Sequence, residues 1–224
     1  SDLVEFMAAL LTADQNDTDR IAIEIEECRQ MGIEIKAPDI NESFASFTVL
    51  KDSSKPTIRF GLKAIKNVGA HIVEEIIDER KRGGSFSNIF DLLERVSDKD
   101  LNKKSLESLI KAGALDQLED RAVLVDNIEV LLNFSKAIKK DKDSSQLNLF
   151  GEDVLAPVYP SLEKDKELND KEKLQWEKDL LGLYISEHPF SFFRSHLSDF
   201  CLPLTTLKDH IGQDIFTAGV ISSI

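Results

Sequence analysis

Apolar residues recur along this chain with two periods, and each period marks a type of element. After the cap-type residues Asp17 and Thr18, the positions Ile21, Ile25, Cys28 and Met31 follow at spacings of four and three, one face of a helix. Gly32 closes it, and Ile33-Glu34-Ile35 alternates as a short strand before Pro38. Phe47 to Leu50 and Thr57 to Phe60 predict two more strands, parted by the turn-rich Asp52-Ser53-Ser54-Lys55-Pro56. Residues 1–60 therefore read as one helix plus a small sheet.

From Gly61 the period becomes helical. Ile65 and the run Lys66-Asn67-Val68-Gly69-Ala70 precede Ile72, Val73, Ile76 and Ile77, a helix that ends on Arg80-Lys81-Arg82 and Gly83-Gly84. Ser85 or Ser87 can cap the next helix, which carries Ile89, Leu92, Leu93 and Val96. Asn102 is the cap of another, with Leu101 and Leu106 as its hydrophobic staple, and Leu109 and Ile110 continue it to Lys111-Ala112-Gly113-Ala114-Leu115. A further helix is predicted over 120–140, with Leu124, Ile128, Leu131 and Leu132 inward. Residues 141–167 are polar, contain Pro157 and Pro160, and read as a linker around the apolar island Leu147-Asn148-Leu149-Phe150. Asn169 and Glu172 form a capping-box pair for a helix through Trp176 to about Leu183. Ile215 to Ile221 reads as a buried strand with no partner after it, as in a piece of a longer chain. The fold class is mainly α with small β elements.

Composition narrows the function classes. The chain has 224 residues, 42% hydrophobic and 31% charged, enough for one large domain or two small ones. The longest apolar run, Phe6 to Leu11, is far short of the roughly 20 residues a spanning helix needs, so no membrane partner is expected. Cys28 and Cys201 are isolated, which speaks against a disulfide scaffold or zinc finger and for an intracellular home. A net charge of −13 excludes a basic nucleic-acid coat at whole-chain scale. Between Pro56 and Leu118, however, 11 basic residues meet 10 acidic ones, so the acidity lies outside the paired helical hairpins.

Those hairpins are the first candidate site. A glycine in each tight turn lets another backbone approach, and outward N–H groups at the next helix start can hold a phosphate oxygen without a cation. The candidates are Lys66, Asn67, Val68, Gly69 and Ala70 in the first turn, and Lys104, Lys111, Ala112, Gly113 and Ala114 around the second; Lys63 and Lys103 add charge nearby. Two such nests would suit the two strands of duplex DNA and track phosphates without reading bases. The second candidate is Gln146, Leu147, Leu149 and Phe150, a segment able to seat Leu and Phe in a partner's apolar pocket with the Gln amide at its rim. An acidic helical adaptor whose hairpins are structural and whose linker recruits another protein stays open beside the DNA reading. Catalysis has little support: His71, His188, His196 and His210 form no HExxH pattern, and neither GxSxG nor a Walker-type loop occurs. Glu26-Glu27 and Asp98/Asp100 read as solvated carboxylates, and Trp176 as a packing anchor.

Several blocks carry a family resemblance. Phe6 to Thr12, Glu27 to Ile33, Arg59 to Gly69, Leu101 to Lys104, Leu109 to Asp116 and Leu180 to Pro189 resemble, in order, the bacterial replicative DNA polymerase III alpha subunits. That resemblance implies five regions. They are the end of the fingers (1–55), a tandem helix-hairpin-helix domain (56–140), a linker with a sliding-clamp motif at Gln146 to Phe150 (141–167), a helical connector (168–210) and the first strand of an OB-fold (211–224). It implies duplex DNA, a sliding clamp and other replicative holoenzyme subunits as partners, in the bacterial cytoplasm at the replication fork. It implies no cofactor in this segment. Magnesium and the catalytic palm aspartates belong to the full polymerase, so the segment should be inactive alone in nucleotidyl transfer. The family usually has glycine where Asn67 and Glu187 stand; asparagine accepts left-handed backbone, so the first turn should survive.

Overall fold

The structure, a computed structural model, describes residues 2–51, 53–96, 101–145, 158–164, 167–186, 201–202 and 208–217, without the side chains of 141–145. Eight α-helices and a small sheet make up its regular structure among these residues. Helix α1 (Asp2–Ala13) buries Val4, Met7, Ala8 and Leu11, and α2 (Thr18–Gln30) buries Ile21, Ile25 and Cys28. Asp17 caps α2 by accepting from the N–H groups of Asp19 and Arg20, and Gly32 turns the chain at φ +75°. The N-terminal region thus has two helices where the sequence pattern predicts one. The cause is the unbroken apolar run Phe6 to Leu11, which hides the helical period of α1. Met31 stands outside the α2 face, at 49% exposure.

The strands are β1 (Glu34–Lys36), β2 (Thr48–Val49) and β3 (Thr57–Arg59), in the order β1-β3-β2. β1 runs parallel to β3 with Ile35 opposite Ile58, and β2 runs antiparallel with Val49 opposite Ile58. Phe47 and Phe60 meet edge to face at 4.6 Å between ring centres beneath the sheet.

After a 3₁₀ turn at Leu62–Ala64, α3 (Ala70–Gly83) buries Ile72, Val73, Ile76 and Ile77 and ends at Gly84, φ +78°. Asn88, not a serine, caps α4 (Ile89–Arg95): its side chain accepts from the N–H groups of Phe90 and Asp91. Ser87 instead donates its N–H and hydroxyl to Asp91. Helix α5 (Lys103–Lys111) carries a full Asn102/Ser105 capping box, with Leu101 and Leu106 buried as its staple.

The single helix predicted over 120–140 is two, α6 (Arg121–Asp126) and α7 (Ile128–Ser145), which meet at the buried Asn127, whose backbone departs from helical geometry at φ −110°, ψ 17°. Its Nδ2 donates to the Val123 carbonyl at 2.8 Å and to that of Glu163 at 2.5 Å, and Glu163 N–H donates back to Oδ1. So the expected linker is helical over its first residues, 141–145, and its later part, 158–164, is pinned. Tyr159 packs against the touching rings of Phe90 and Phe134, with centroids 5.1 and 5.9 Å away, and Lys164 pairs with Asp120 at 3.6 Å.

Helix α8 (Asp170–Leu181) has the predicted Asn169/Glu172 capping box and closes on Gly182. In the terminal run, Ile215–Thr217 form no strand, and Phe216 is 79% exposed; residues 218–224 lie outside the described residues. One cluster of buried side chains runs from Val4 to Leu183.

Candidate nucleic-acid interface

The first predicted turn lies between the 3₁₀ turn and α3, so its leading helix is one turn long. Asn67 takes φ +67°, the left-handed conformation for which asparagine was singled out. Its Nδ2 donates to Ser108 Oγ at 3.3 Å and ties the turn to α5. The Val68 N–H donates to the Ile65 carbonyl, and the Lys66 N–H to the Leu180 carbonyl. Gly69 then caps α3 without a side chain. The N–H groups of Gly69, Ala70 and His71, all exposed, have no acceptor among the described residues. They sit at the positive end of a 14-residue helix.

Lys66 and Lys104 are exposed and make no ion pair among the described residues. Lys104 precedes Ser108 by one turn of α5, on the same face, so it stands beside the Asn67 contact. The other lysines are engaged. Lys63 pairs with Glu74 at 3.0 Å, Lys103 with Glu129 at 2.5 Å, and Lys111 with Glu107 while lying over the Trp176 ring. Trp176 is thereby a half-buried packing residue.

The second turn differs from the sequence expectation. Ala112, Gly113 and Ala114 are buried, and their N–H groups donate to the carbonyls of Ser108, Ile110 and Leu109. That pattern, with Gly113 at φ +80°, is a Schellman cap on α5, so these amides are committed within the chain. The Ala114 carbonyl also accepts from the Ile40 N–H at 2.8 Å. The helix that follows is already capped by an anion, Asp120, which accepts from Ala122 and Val123.

Sequence reasoning missed Arg121, whose guanidinium binds Asp116 and the Lys111 carbonyl and closes the second turn from above. An arginine following a glycine turn was the available signal. Of the remaining candidates, His71 is at the α3 start and Glu26 and Glu27 are exposed. Gln146, Leu147, Leu149, Phe150, His188, His196, Asp98 and Asp100 lie outside the described residues. Burial pushes the Cys28 thiol up to about 11, with Glu24 and Glu27 adding to it, so it stays protonated and unreactive. Among the described residues no three His, Cys, Asp or Glu side chains are placed to hold a metal ion, and no helix is long and apolar enough to cross a membrane.

Residues 32–124, which enclose both turns, match a family model described as helix-hairpin-helix motif. Over most of its length the chain also aligns with curated bacterial proteins. It is 41% identical over 214 residues to DNA polymerase III subunit alpha of Pseudomonas aeruginosa, covering 87% of this chain and 18% of that protein. To the same subunit of Thermus aquaticus it is 40% identical over 186 residues, 83% of this chain and 15% of the relative. To that of Borreliella burgdorferi it is 38% identical over 228 residues, 98% of this chain and 19% of the relative. The chain is homologous to part of DNA polymerase III subunit alpha. It spans less than a fifth of the length of these relatives. Within the alpha-subunit homology, the open α3 start and the closed α5–α6 turn give the two hairpins different chemistry.

Proposed function

We propose that this chain is the segment of a replicative DNA polymerase alpha subunit that holds duplex DNA by its phosphates and docks on a sliding clamp. The observation that carries the DNA reading is the uncapped start of α3. Three N–H groups, from the exposed residues Gly69, Ala70 and His71, have no acceptor among the described residues. Exposed Lys66 lies in the same turn and exposed Lys104 on α5, one helical turn before the Ser108 that anchors Asn67, neither with an ion pair among the described residues. A phosphate oxygen there accepts hydrogen bonds from fixed donors and is attracted by two cations. No base edge is engaged, so binding is independent of sequence.

The grip is asymmetric. The first hairpin supplies amides; the second supplies Lys104 and, through Ser108, the anchor for Asn67. Gln146, Leu147, Leu149 and Phe150 provide the clamp contact, and tethering to a clamp raises the effective concentration of the segment at DNA. In this reading the natural chain works in the cytoplasm with the other subunits of a replicative holoenzyme, and the magnesium-dependent chemistry resides elsewhere in the polymerase.

Titration of a labelled duplex at several salt concentrations tests the DNA reading. The logarithm of affinity should fall linearly with that of salt, and replacing Lys66 or Lys104 by Ala should each lower the slope by about 0.9. Affinity indifferent to salt and to both substitutions overturns it. For the clamp, Leu149→Ala with Phe150→Ala should abolish clamp binding and leave duplex binding intact; undiminished clamp binding removes that assignment.

A further inference from the structure

The block Leu180 to Ser186 has no part in the phosphate site proposed above, yet it and the α8 residue Glu177 contact α2, the second hairpin and the first turn. It forms the C-terminal cap of α8. Gly182 holds φ +82°, and a Cβ there would lie 2.7 Å from the Thr18 carbonyl oxygen, so the cap and the start of α2 meet backbone to backbone. Arg29 Nη2 donates to the Tyr184 carbonyl at 2.6 Å. Glu177, 2% exposed, turns its carboxylate into the cap. Oε2 accepts from the N–H groups of Ile185 at 2.9 Å and Ser186 at 3.0 Å, and Oε1 from the Ser186 hydroxyl. Arg121 Nη1 lies 3.9 Å from the same carboxylate and links the cap to the second hairpin.

The last contact reaches the candidate phosphate turn itself. The Leu180 carbonyl, one of the final acceptors of α8, receives the N–H of Lys66 at 3.0 Å. A helix leaves its last carbonyls without partners, and this one is satisfied by another segment of chain. The turn from Ile65 to Gly69 is thereby held from two sides, by Leu180 at Lys66 and by Ser108 at Asn67. Its left-handed residue is fixed between those two bonds.

We propose that the α8 cap is the positioning element of the DNA-binding turn. Glu177 and Gly182 hold the Leu180 carbonyl where it fixes Lys66, so that the Lys66 ammonium and the α3 amides face one phosphate. This rests on the DNA reading given above. It assigns Glu177, Gly182 and the Leu180 carbonyl a place in binding although none of them touches DNA, and it completes the turn with chain from beyond the Gln146 to Phe150 segment.

The test uses the 224-residue chain and a labelled duplex. Wild type, Lys66→Ala and Lys104→Ala first decide the DNA reading; absence of salt-sensitive binding in wild type overturns that reading and this inference together. Glu177→Ala should then weaken duplex binding severalfold and remove hydrogen-exchange protection from the Lys66 amide. Glu177→Gln, whose side-chain carbonyl still accepts from the cap amides, should restore most of both. Met7→Ala, a core deletion on α1, supplies a thermal destabilisation unrelated to the cap and should leave duplex affinity and Lys66 protection unchanged below its transition. If Glu177→Ala fails to fold, Ser186→Ala carries the same comparison with a milder loss. Wild-type affinity in a cap variant that has lost Lys66 protection overturns the proposal. So does a Met7→Ala affinity loss equal to that of the cap variant.

Discussion

The guanidinium of Arg121 lies over Gly113, in the space that a side chain at that position would need. A Cβ on Gly113 would overlap Arg121 Nη2 and come within 3.1 Å of Asp116 Oδ2, at a backbone φ of +80°. Arg121 Nε donates to Asp116 Oδ1 at 3.0 Å, Nη2 to Oδ2 at 2.5 Å, and Nη1 to the Lys111 carbonyl at 3.3 Å. This two-pronged pairing with Asp116 is the geometry in which arginine binds a carboxylate most specifically. The glycine of the second turn thus admits a guanidinium from the same chain, whereas Gly69 in the first turn has nothing within 4 Å of its missing Cβ.

Gly113→Ala should therefore destabilise the chain by about 1–3 kcal/mol through left-handed strain, with the clash against Arg121 added. Urea unfolding of the two single variants and the double variant measures the coupling. Removing Arg121 should cost less in the Gly113→Ala background than in wild type, because the clash has gone. Additive losses would show that the two positions do not constrain each other.

The contrast explains what was legible in the sequence. Gly69 and Gly113 have similar local patterns, a lysine shortly before and an apolar-faced helix nearby, and nothing local says which turn is open. The difference is tertiary: Arg121 and the Ile40 segment close the second turn, and no local period encodes that. Helices whose apolar faces alternate with polar residues, such as α3 and α8, were legible to their caps. Helix α1 was not, because its outward positions Leu3 and Phe6 are apolar as well. Asn127 looked like one polar residue in a helical pattern; its side chain serves Glu163, 36 residues away, which no windowed reading detects. Phosphate binding is read from the paired glycine turns and the near-neutral charge of 56–118; the replicative polymerase and the sliding clamp enter only with the ordered family blocks.

Asn127→Ala should loosen one segment more than the whole. The amide is buried and makes two bonds to the Glu163 backbone, so its loss leaves polar groups without partners, at about 1–3 kcal/mol. Hydrogen exchange at the Glu163 amide should speed up, while amides in α3 and α5 stay protected. Equal acceleration everywhere would mean that the clip supports the core at large.

Stability should also fall as pH rises through the weakly acidic range. Glu24 is 7% exposed, and its Oε2 has no partner among the described residues. Burial first, then hydrogen bonding and charge from Asp14, push its carboxyl from the ordinary 4.5 up to about 7; Arg20 opposes this and Glu27 adds to it. The folded chain then holds the proton more tightly than the unfolded one, so between pH 4.5 and 7 the folded form binds more protons and stability declines with pH. Below that window the contribution is fully present. Glu24→Gln, uncharged at every pH, should flatten this slope in thermal melts and raise the melting temperature at pH 8. A variant with the wild-type slope would place the titrating group elsewhere.

Gly69→Asp separates helix capping from phosphate binding in a single substitution. Gly69 has φ −73° and open space at its Cβ, so the side chain fits without strain. An aspartate at this N-cap would accept from the amides now free at the start of α3, as Asp17 does for α2. Capping and the favourable charge at a helix N-terminus together should stabilise the chain by about 0.5–1 kcal/mol. The same carboxylate occupies the place proposed for a phosphate oxygen and repels the backbone of DNA. The expected result is a higher melting temperature with severalfold weaker duplex binding, read by calorimetry and anisotropy on one sample. Gly69→Ala is the control, because it fits equally well and adds neither acceptor nor charge. If Gly69→Asp binds duplex as well as Gly69→Ala does, the α3 amides are not the phosphate site.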